Sequence, residues 1–239
     1  MCSNDLMQLN LSRLLKKKGG FNLKGVFKNR TILNYLSLTG ILAVVFYVLH
    51  DVVGAQFYPG YNFLSQAVSD LTASDAPSRV VAGGLSSVYG IFSVISSMAV
   101  VLLVKDQLNK TLRVGIYLFA VMNLISNIGY SLFPLSTSGY AATFQDVMHL
   151  YVVTMLVVLL SISSLILIIV GGLKGKKIKF QSLSYIAMVA LLLMMSGAIL
   201  SNLVDPSIFG LVERFSTYSA VLFTGVLGVY GFRMDDSND

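Results

Sequence analysis

Cysteine is almost missing from this chain. Cys2 is the single one in 239 residues, so no internal disulfide can form and a thiolate metal site is excluded. Charge is scarce too. Asp, Glu, Lys and Arg make up 12% of residues, where a soluble domain uses roughly 25% to cover its surface. Familiar signatures of chemistry are absent as well. No HxxxH or HExxH spacing sets two metal ligands on one helix, and there is no Gly-rich phosphate loop or nucleophile elbow. No inverted repeat relates the first half of the chain to the second, which argues against a secondary-transporter plan.

What fills the chain instead is apolar. Hydrophobic residues reach 55% and mean hydropathy is +0.77. Runs long enough to cross a bilayer lie at about Leu33–Val53, Val80–Val104, Val114–Phe133, Asp146–Gly172 and Leu183–Val204. A sixth follows Gly210–Arg214 and ends near Phe232. Val53-Gly54-Ala55 has the small-residue spacing of a signal-peptidase site, but the preceding run is longer than a signal h-region and further runs follow. The expected fold is an all-α integral membrane protein, a bundle of six transmembrane helices in the plasma membrane.

Basic residues orient it. Fifteen of the 17 Lys and Arg fall in the two tails and the loops after the second and fourth runs, leaving Arg79 and Arg214 for the opposite face. The positive-inside bias places both termini in the cytoplasm. It also explains the net charge of +6 without nucleic acid as a partner. Residues 1–32 are expected to form a basic cytoplasmic tail, with an amphipathic helix over Leu6–Lys18 suited to an anionic leaflet. The membrane domain covers 33–232 and an acidic cytoplasmic tail 233–239.

The longest polar interruption is Tyr58–Arg79, YPGYNFLSQAVSDLTASDAPSR. Pro59-Gly60 stops the arriving helix, and Asn62 can cap a short extracytoplasmic helix over FLSQAVSDL. Phe63, Leu64, Ala67, Val68 and Leu71 would share its apolar face, with Ser65, Gln66, Ser69 and Asp70 opposite. Such a helix should lie flat at the membrane surface between the first two spans.

On that topology both histidines gather at the extracytoplasmic boundary, with Asp51, Asp70, Asp75, Asp146, Asp205 and Glu213. Solvated helix ends and plain ion pairs, Asp70 with Arg79 or Glu213 with Arg214, account for them without chemistry. The functional reading is an outward polar pocket of His50, Asp51, Tyr61, Ser69, Asp70, Asn123, Asn127, Asp146, His149, Glu213 and Arg214. Asn123, Asn127 and Tyr130 share a face of the third run that should point into the bundle. Asp146 and His149 share a face at the start of the fourth. No cofactor is expected. His50, His149 and Asp70 nevertheless suit zinc with one position left for water, and that water would attack an ester or amide. Gly225, Gly228 and Gly231 form a small stripe that packs inside the bundle or against another protomer, so a homo-oligomer stays open.

PGYNFLSQAVSDLTASDAPSR, FPLS after the third run, Asp146-xx-His149 and GLVERF before the sixth together resemble the domain of unknown function 998 family. That resemblance covers nearly the whole chain from the first run onward and implies a six-span prokaryotic membrane protein, with no established activity. The loop is also similar, more distantly, to the six-span Frag1/DRAM/Sfk1 group, which implies a lipid-facing role. A further distant similarity is to seven-span hydrolases related to alkaline ceramidases. It would give catalytic parts to Ser69, Asp70 and His149, although the paired histidines of that group's last span are lacking and the chain has one span fewer; Asp146 is a further catalytic candidate beside His149. The function expected is therefore a non-enzymatic protein that interacts with membrane lipids or handles a small molecule. The alternatives are a metal-dependent hydrolase of lipid head groups and a proton- or cation-coupled transporter in which Asp146 and His149 titrate.

Overall fold

The computed structural model describes residues 30–105, 107–139, 141–175 and 178–234. The expected tail helix Leu6–Lys18, the acidic tail beyond 234 and part of the KGKKIK loop lie outside the described residues. Six helices are long and apolar enough to cross a membrane. They are span 1 (Ile32–Gln56), span 2 (Arg79–Val104), span 3 (Lys110–Leu132), span 4 (Phe144–Leu173), span 5 (Phe180–Leu200) and span 6 (Pro206–Phe232). Among the described residues there is no strand. The chain is a multi-pass membrane protein, because helices satisfy their own backbone hydrogen bonds and can sit in hydrocarbon.

The spans follow one another around a ring. Span 1 packs on spans 2 and 6, span 2 on 3, span 3 on 4, span 4 on 5 and span 5 on 6, while span 6 also reaches span 2. Buried Asn34 ties the first and last spans together. Its Nδ2 donates to the carbonyls of Gly231 and Met234, both at 2.9 Å, so both ends of the described chain lie at one end of the bundle. The glycine stripe makes this junction close. A Cβ at Gly225 would come within 2.9 Å of Val44, and one at Gly228 would run into the Ser37 carbonyl. The stripe therefore packs inside the bundle, where Ser37 donates to the Gly228 carbonyl at 2.9 Å and Ser96 to the Ser37 carbonyl at 2.7 Å.

The apolar core fills the half nearer the termini, around Val100, Leu112, Phe119, Leu165, Ile168 and Phe223. Phe119 and Phe223 meet edge to face at 5.2 Å. A polar knot closes that core. Asn123 accepts from Ser93 at 3.1 Å and donates to Ser97 at 3.0 Å and Thr224 at 3.4 Å.

The opposite end is capped by the connections between spans 1 and 2, 3 and 4, and 5 and 6. Here the expected α-helix over Phe63–Leu71 does not form. The chain makes one turn after Asn62, whose Oδ1 accepts from the Leu64 N–H at 3.0 Å, and then a 3-10 helix over Val68–Thr72. The expected faces change with it: Phe63 and Leu64 stay exposed, whereas Asp70, Val68 and Leu71 are buried. Ser74 N–H donates to the Leu135 carbonyl at 2.8 Å, joining this loop to the one after span 3.

Candidate functional site

The cap is riveted by Arg214, about two turns into span 6 and 4% exposed. Its Nε donates to Asp51 Oδ2 at 2.9 Å and its Nη2 to Asp51 Oδ1 at 2.8 Å, a side-on pair with a carboxylate that is 0% exposed. Tyr218, one helical turn beyond Arg214, donates to Asp51 Oδ2 at 2.9 Å. Nη2 also reaches the Tyr61 hydroxyl at 2.7 Å. Nη1 donates to the carbonyls of Phe63 at 2.9 Å, Gln66 at 3.1 Å and Gly210 at 2.7 Å. The Phe63 ring lies 3.7 Å from the guanidinium carbon. Arg214 thus pairs with Asp51 rather than with its neighbour Glu213.

These bonds explain why the helix over Phe63–Leu71 is lost. It would need the Phe63 and Gln66 carbonyls to accept from residues 67 and 70. Arg214 takes both carbonyls, while Ala67 N–H donates to Asp70 Oδ2 at 3.1 Å and Val68 N–H to Glu213 Oε2 at 3.1 Å. Gly210 lets the loop and span 6 touch, since a Cβ there would collide with the Gln66 backbone. Tyr61 donates to the Ala67 carbonyl at 2.8 Å, and burial pushes its hydroxyl pKa up to about 12 against the opposing pull of Arg214.

Two other carboxylates organise the loop after span 3. Asp146 Oδ1 accepts from Ser136 N–H at 2.8 Å, and Oδ2 from the Ser136 hydroxyl at 2.7 Å, the Thr143 hydroxyl at 2.9 Å and the N–H groups of Ala141 and Thr143 at 3.2 Å. Thr143 is the N-cap of span 4 and Asp146 closes its capping box. Asp70 Oδ1 takes the Gly139 N–H at 3.1 Å, so one loop answers both acids. Arg79 is exposed and donates to the Ser74 carbonyl at 3.1 Å; Asp70 is held by backbone N–H groups and not by Arg79.

Beneath the cap one carboxylate is only partly paired. Glu213 accepts from Val68 N–H through Oε2, and among the described residues its Oε1 has no donor. Tyr47 packs on Tyr89 at 5.0 Å, Tyr218 at 5.3 Å and His50 at 5.6 Å. Glu213, Tyr47, Tyr89, Asn127 and Tyr130 all remain half-buried. Spans 3 and 6 meet through Phe119–Phe223 and Asn123–Thr224. Toward the cap from that level the half-buried polar groups lie among apolar spans.

Span 4 is distorted beside them. Met148–Val153 form a π-helix, a rare widening that often marks functional sites. Thr154 donates to the His149 carbonyl at 2.8 Å and lies 3.0 Å from the Tyr130 hydroxyl, while the Tyr130 and His149 ring centroids lie 4.7 Å apart with the planes tilted by 45°. His149 Nδ1 meets the Phe133 carbonyl at 2.7 Å and His50 Nδ1 the Ala82 carbonyl at 3.0 Å. A carbonyl only accepts, so each Nδ1 carries the proton and each neutral ring offers Nε2 as an acceptor.

The residues singled out from the sequence thus separate into groups. Asp51, Tyr61 and Arg214 form the rivet; Asp70 and Asp146 hold loops; Glu213 and Asn127 stay half-buried beneath the cap, and His149 sits in the widened turn of span 4. Asn123 belongs to the knot deeper in the bundle, and Asn127 Nδ2 donates to its carbonyl at 2.7 Å. Among the described residues no three His, Cys, Asp or Glu side chains are grouped to hold a metal. His50, His149 and Asp70 each take different backbone partners. Ser69, Asp70 and His149 share no hydrogen bond; the Ser69 carbonyl accepts from Thr72 at 3.1 Å. Tyr218, Tyr47, Tyr89, Ser136 and Thr143 were not in the expected site. Two had legible signals: Tyr218 follows Arg214 at i+4, and Thr143-xx-Asp146 is a capping-box pattern.

A family model described as "Protein of unknown function (DUF998)" matches residues 41–230. No curated protein and no solved structure matches this chain.

Proposed function

The chain belongs to the DUF998 family, and we propose that it is a lipid-handling membrane protein whose half-buried polar groups beneath the cap receive the head group of an amphiphile. The positive-inside bias expects those groups at the extracytoplasmic face. One observation carries the reading: Asp51, Asp70 and Asp146 in the cap accept hydrogen bonds on both oxygens, whereas Glu213 below them stays half-buried with no donor to Oε1 among the described residues. Partly paired polar groups at a membrane boundary favour a ligand with a polar head and an apolar tail, because the tail can stay in hydrocarbon while the head replaces water. The aromatic walls add contact area at low entropic cost. A bound lipid needs no turnover, in keeping with the separated Ser69, Asp70 and His149.

The test is native mass spectrometry of protein purified in mild detergent and washed through lipid-free micelles. About one phospholipid per chain is expected to survive the wash, and Tyr47→Ala/Tyr130→Ala should release it while the thermal midpoint shows the protein folded. Absence of any retained lipid in the wild type refutes the reading.

A further inference from the structure

We propose that the end of the bundle carrying the chain termini binds an anionic phospholipid head group, on a cationic corner shared by spans 2, 3 and 4. The inference stands apart from the lipid-handling reading, which concerns the capped end. Charge is divided between the two ends of the molecule. Among the described residues the carboxylates Asp51, Asp70, Asp75, Asp146, Asp205 and Glu213 all lie at or near the capped end. At the other end, connections 105–113 and 174–179 hold seven Lys and Arg and one acid, Asp106. Two bonds shape that end. Asn109 Nδ2 donates to the Gly171 carbonyl at 2.8 Å, while its Oδ1 caps span 3 by accepting from the Leu112 N–H at 3.0 Å. Arg113 donates to the Lys105 carbonyl, folding the connection back onto the first turn of span 3. Gly171 makes the approach close, since a Cβ there would collide with the Leu112 backbone. Lys174 stands one turn past Gly171, and Lys110 and Arg113 stand within one turn of Leu112, so this contact gathers their backbones at one corner.

Lys105, Lys110 and Lys174 are exposed, and among the described residues none of them meets a carboxylate. Their neighbours select the partner. Leu102, Val114, Val170 and Leu173 are exposed apolar side chains on the turns next to Lys105, Arg113 and Lys174. In a bilayer that belt faces acyl chains. Lysine stems can lie along it while the ammonium groups reach the interface. A diacyl phosphate fits both parts, with its chains on the belt and its head group on the lysines. A free anion would use only the second. Basic clusters beside membrane spans attract anionic lipids in this way. The positive-inside bias accounts for basic residues on this side, but it does not require two separate connections to be bonded into one corner.

The experiment offers delipidated protein equimolar phosphatidylglycerol and phosphatidylcholine with identical acyl chains, and counts bound lipid by native mass spectrometry. Wild type is compared with Lys105→Gln/Lys110→Gln/Lys174→Gln, which leaves Arg113 on the Lys105 carbonyl, and with the same three lysines changed to arginine. A lysine beside an anionic membrane surface contributes about fivefold in affinity, so wild type should favour the glycerol lipid by more than about tenfold. The glutamine variant should lose that preference with an unchanged thermal midpoint, and the arginine variant should keep it. Equal binding of the two lipids by wild type, or a preference that survives in the glutamine variant, overturns the inference. Neither result touches the lipid-handling reading, whose retained lipid answers to Tyr47 and Tyr130. A preference lost in both variants gives the lysines a structural part and overturns the inference as well. Inorganic phosphate is titrated in a further arm against lipid-free protein; binding there as tight as that of the lipid overturns the membrane lipid as the partner.

Discussion

Replacing Arg214 by leucine removes the rivet while keeping an apolar side chain in span 6. Asp51, 0% exposed, then keeps one donor, Tyr218, where it had three bonds; the Phe63 carbonyl loses its donor and the Gln66 carbonyl keeps only the Tyr61 hydroxyl at 3.3 Å. Breaking a buried ion pair by removing one partner costs about 3–5 kcal/mol, because the remaining charge is left uncompensated. The two carbonyls sit in a loop at the membrane boundary and can recover water, so the uncompensated Asp51 dominates. Adding Asp51→Asn should restore about 1–3 kcal/mol, the range expected of directly contacting residues. The assay is reversible unfolding in mixed micelles along a sodium dodecyl sulfate titration, with a Ser69→Cys reporter in a Cys2→Ser background. Arg214→Leu should unfold at lower detergent fraction and expose the reporter to membrane-impermeant thiol reagents. A loss below about 1 kcal/mol with unchanged labelling would refute the rivet, since no buried charge pair of this geometry is that cheap to break.

Three further outcomes follow from the same contacts. In the Cys2→Ser protein, a cysteine at half-buried Ser69 should label more slowly than one at exposed Ser74; equal rates in intact cells would show a solvated loop in place of a cap. Gly210→Ala forces a methyl against the Gln66 backbone and should cost about 1–3 kcal/mol in the unfolding titration; a neutral result would mean the loop does not rest on span 6. Tyr61, raised from 10.0 to about 12 by burial, holds its proton more tightly folded than unfolded. Its contribution to stability is present below pH 10 and lost as pH rises toward 12. Tyr61→Phe should therefore flatten the decline of wild-type stability across that window, and an unchanged alkaline slope would contradict the burial.

Hydropathy by itself determined the membrane class and the six spans, because a bilayer demands about 20 apolar residues per crossing whatever the helices later touch. FPLS, GLVERF and the polar segment marked the capped end for the same local reason: each interrupts apolar sequence. Helix ends were readable where a cap is local, as at Thr143-xx-Asp146.

Pairing was decided elsewhere. Arg214 takes Asp51, 163 residues away, in preference to the adjacent Glu213, because the ring of spans sets the last turn of span 1 against the first turns of span 6. The amphipathic pattern over Phe63–Leu71 pointed to an α-helix, and local propensity lost. A buried guanidinium needs acceptors from wherever the fold supplies them, and the Phe63 and Gln66 carbonyls were the nearest. Sequence spacing reports only contacts within one element. Which acid is neutralised and which keeps a free oxygen depends on donors brought from span 6 and two separate loops, and only the tertiary structure assembles those.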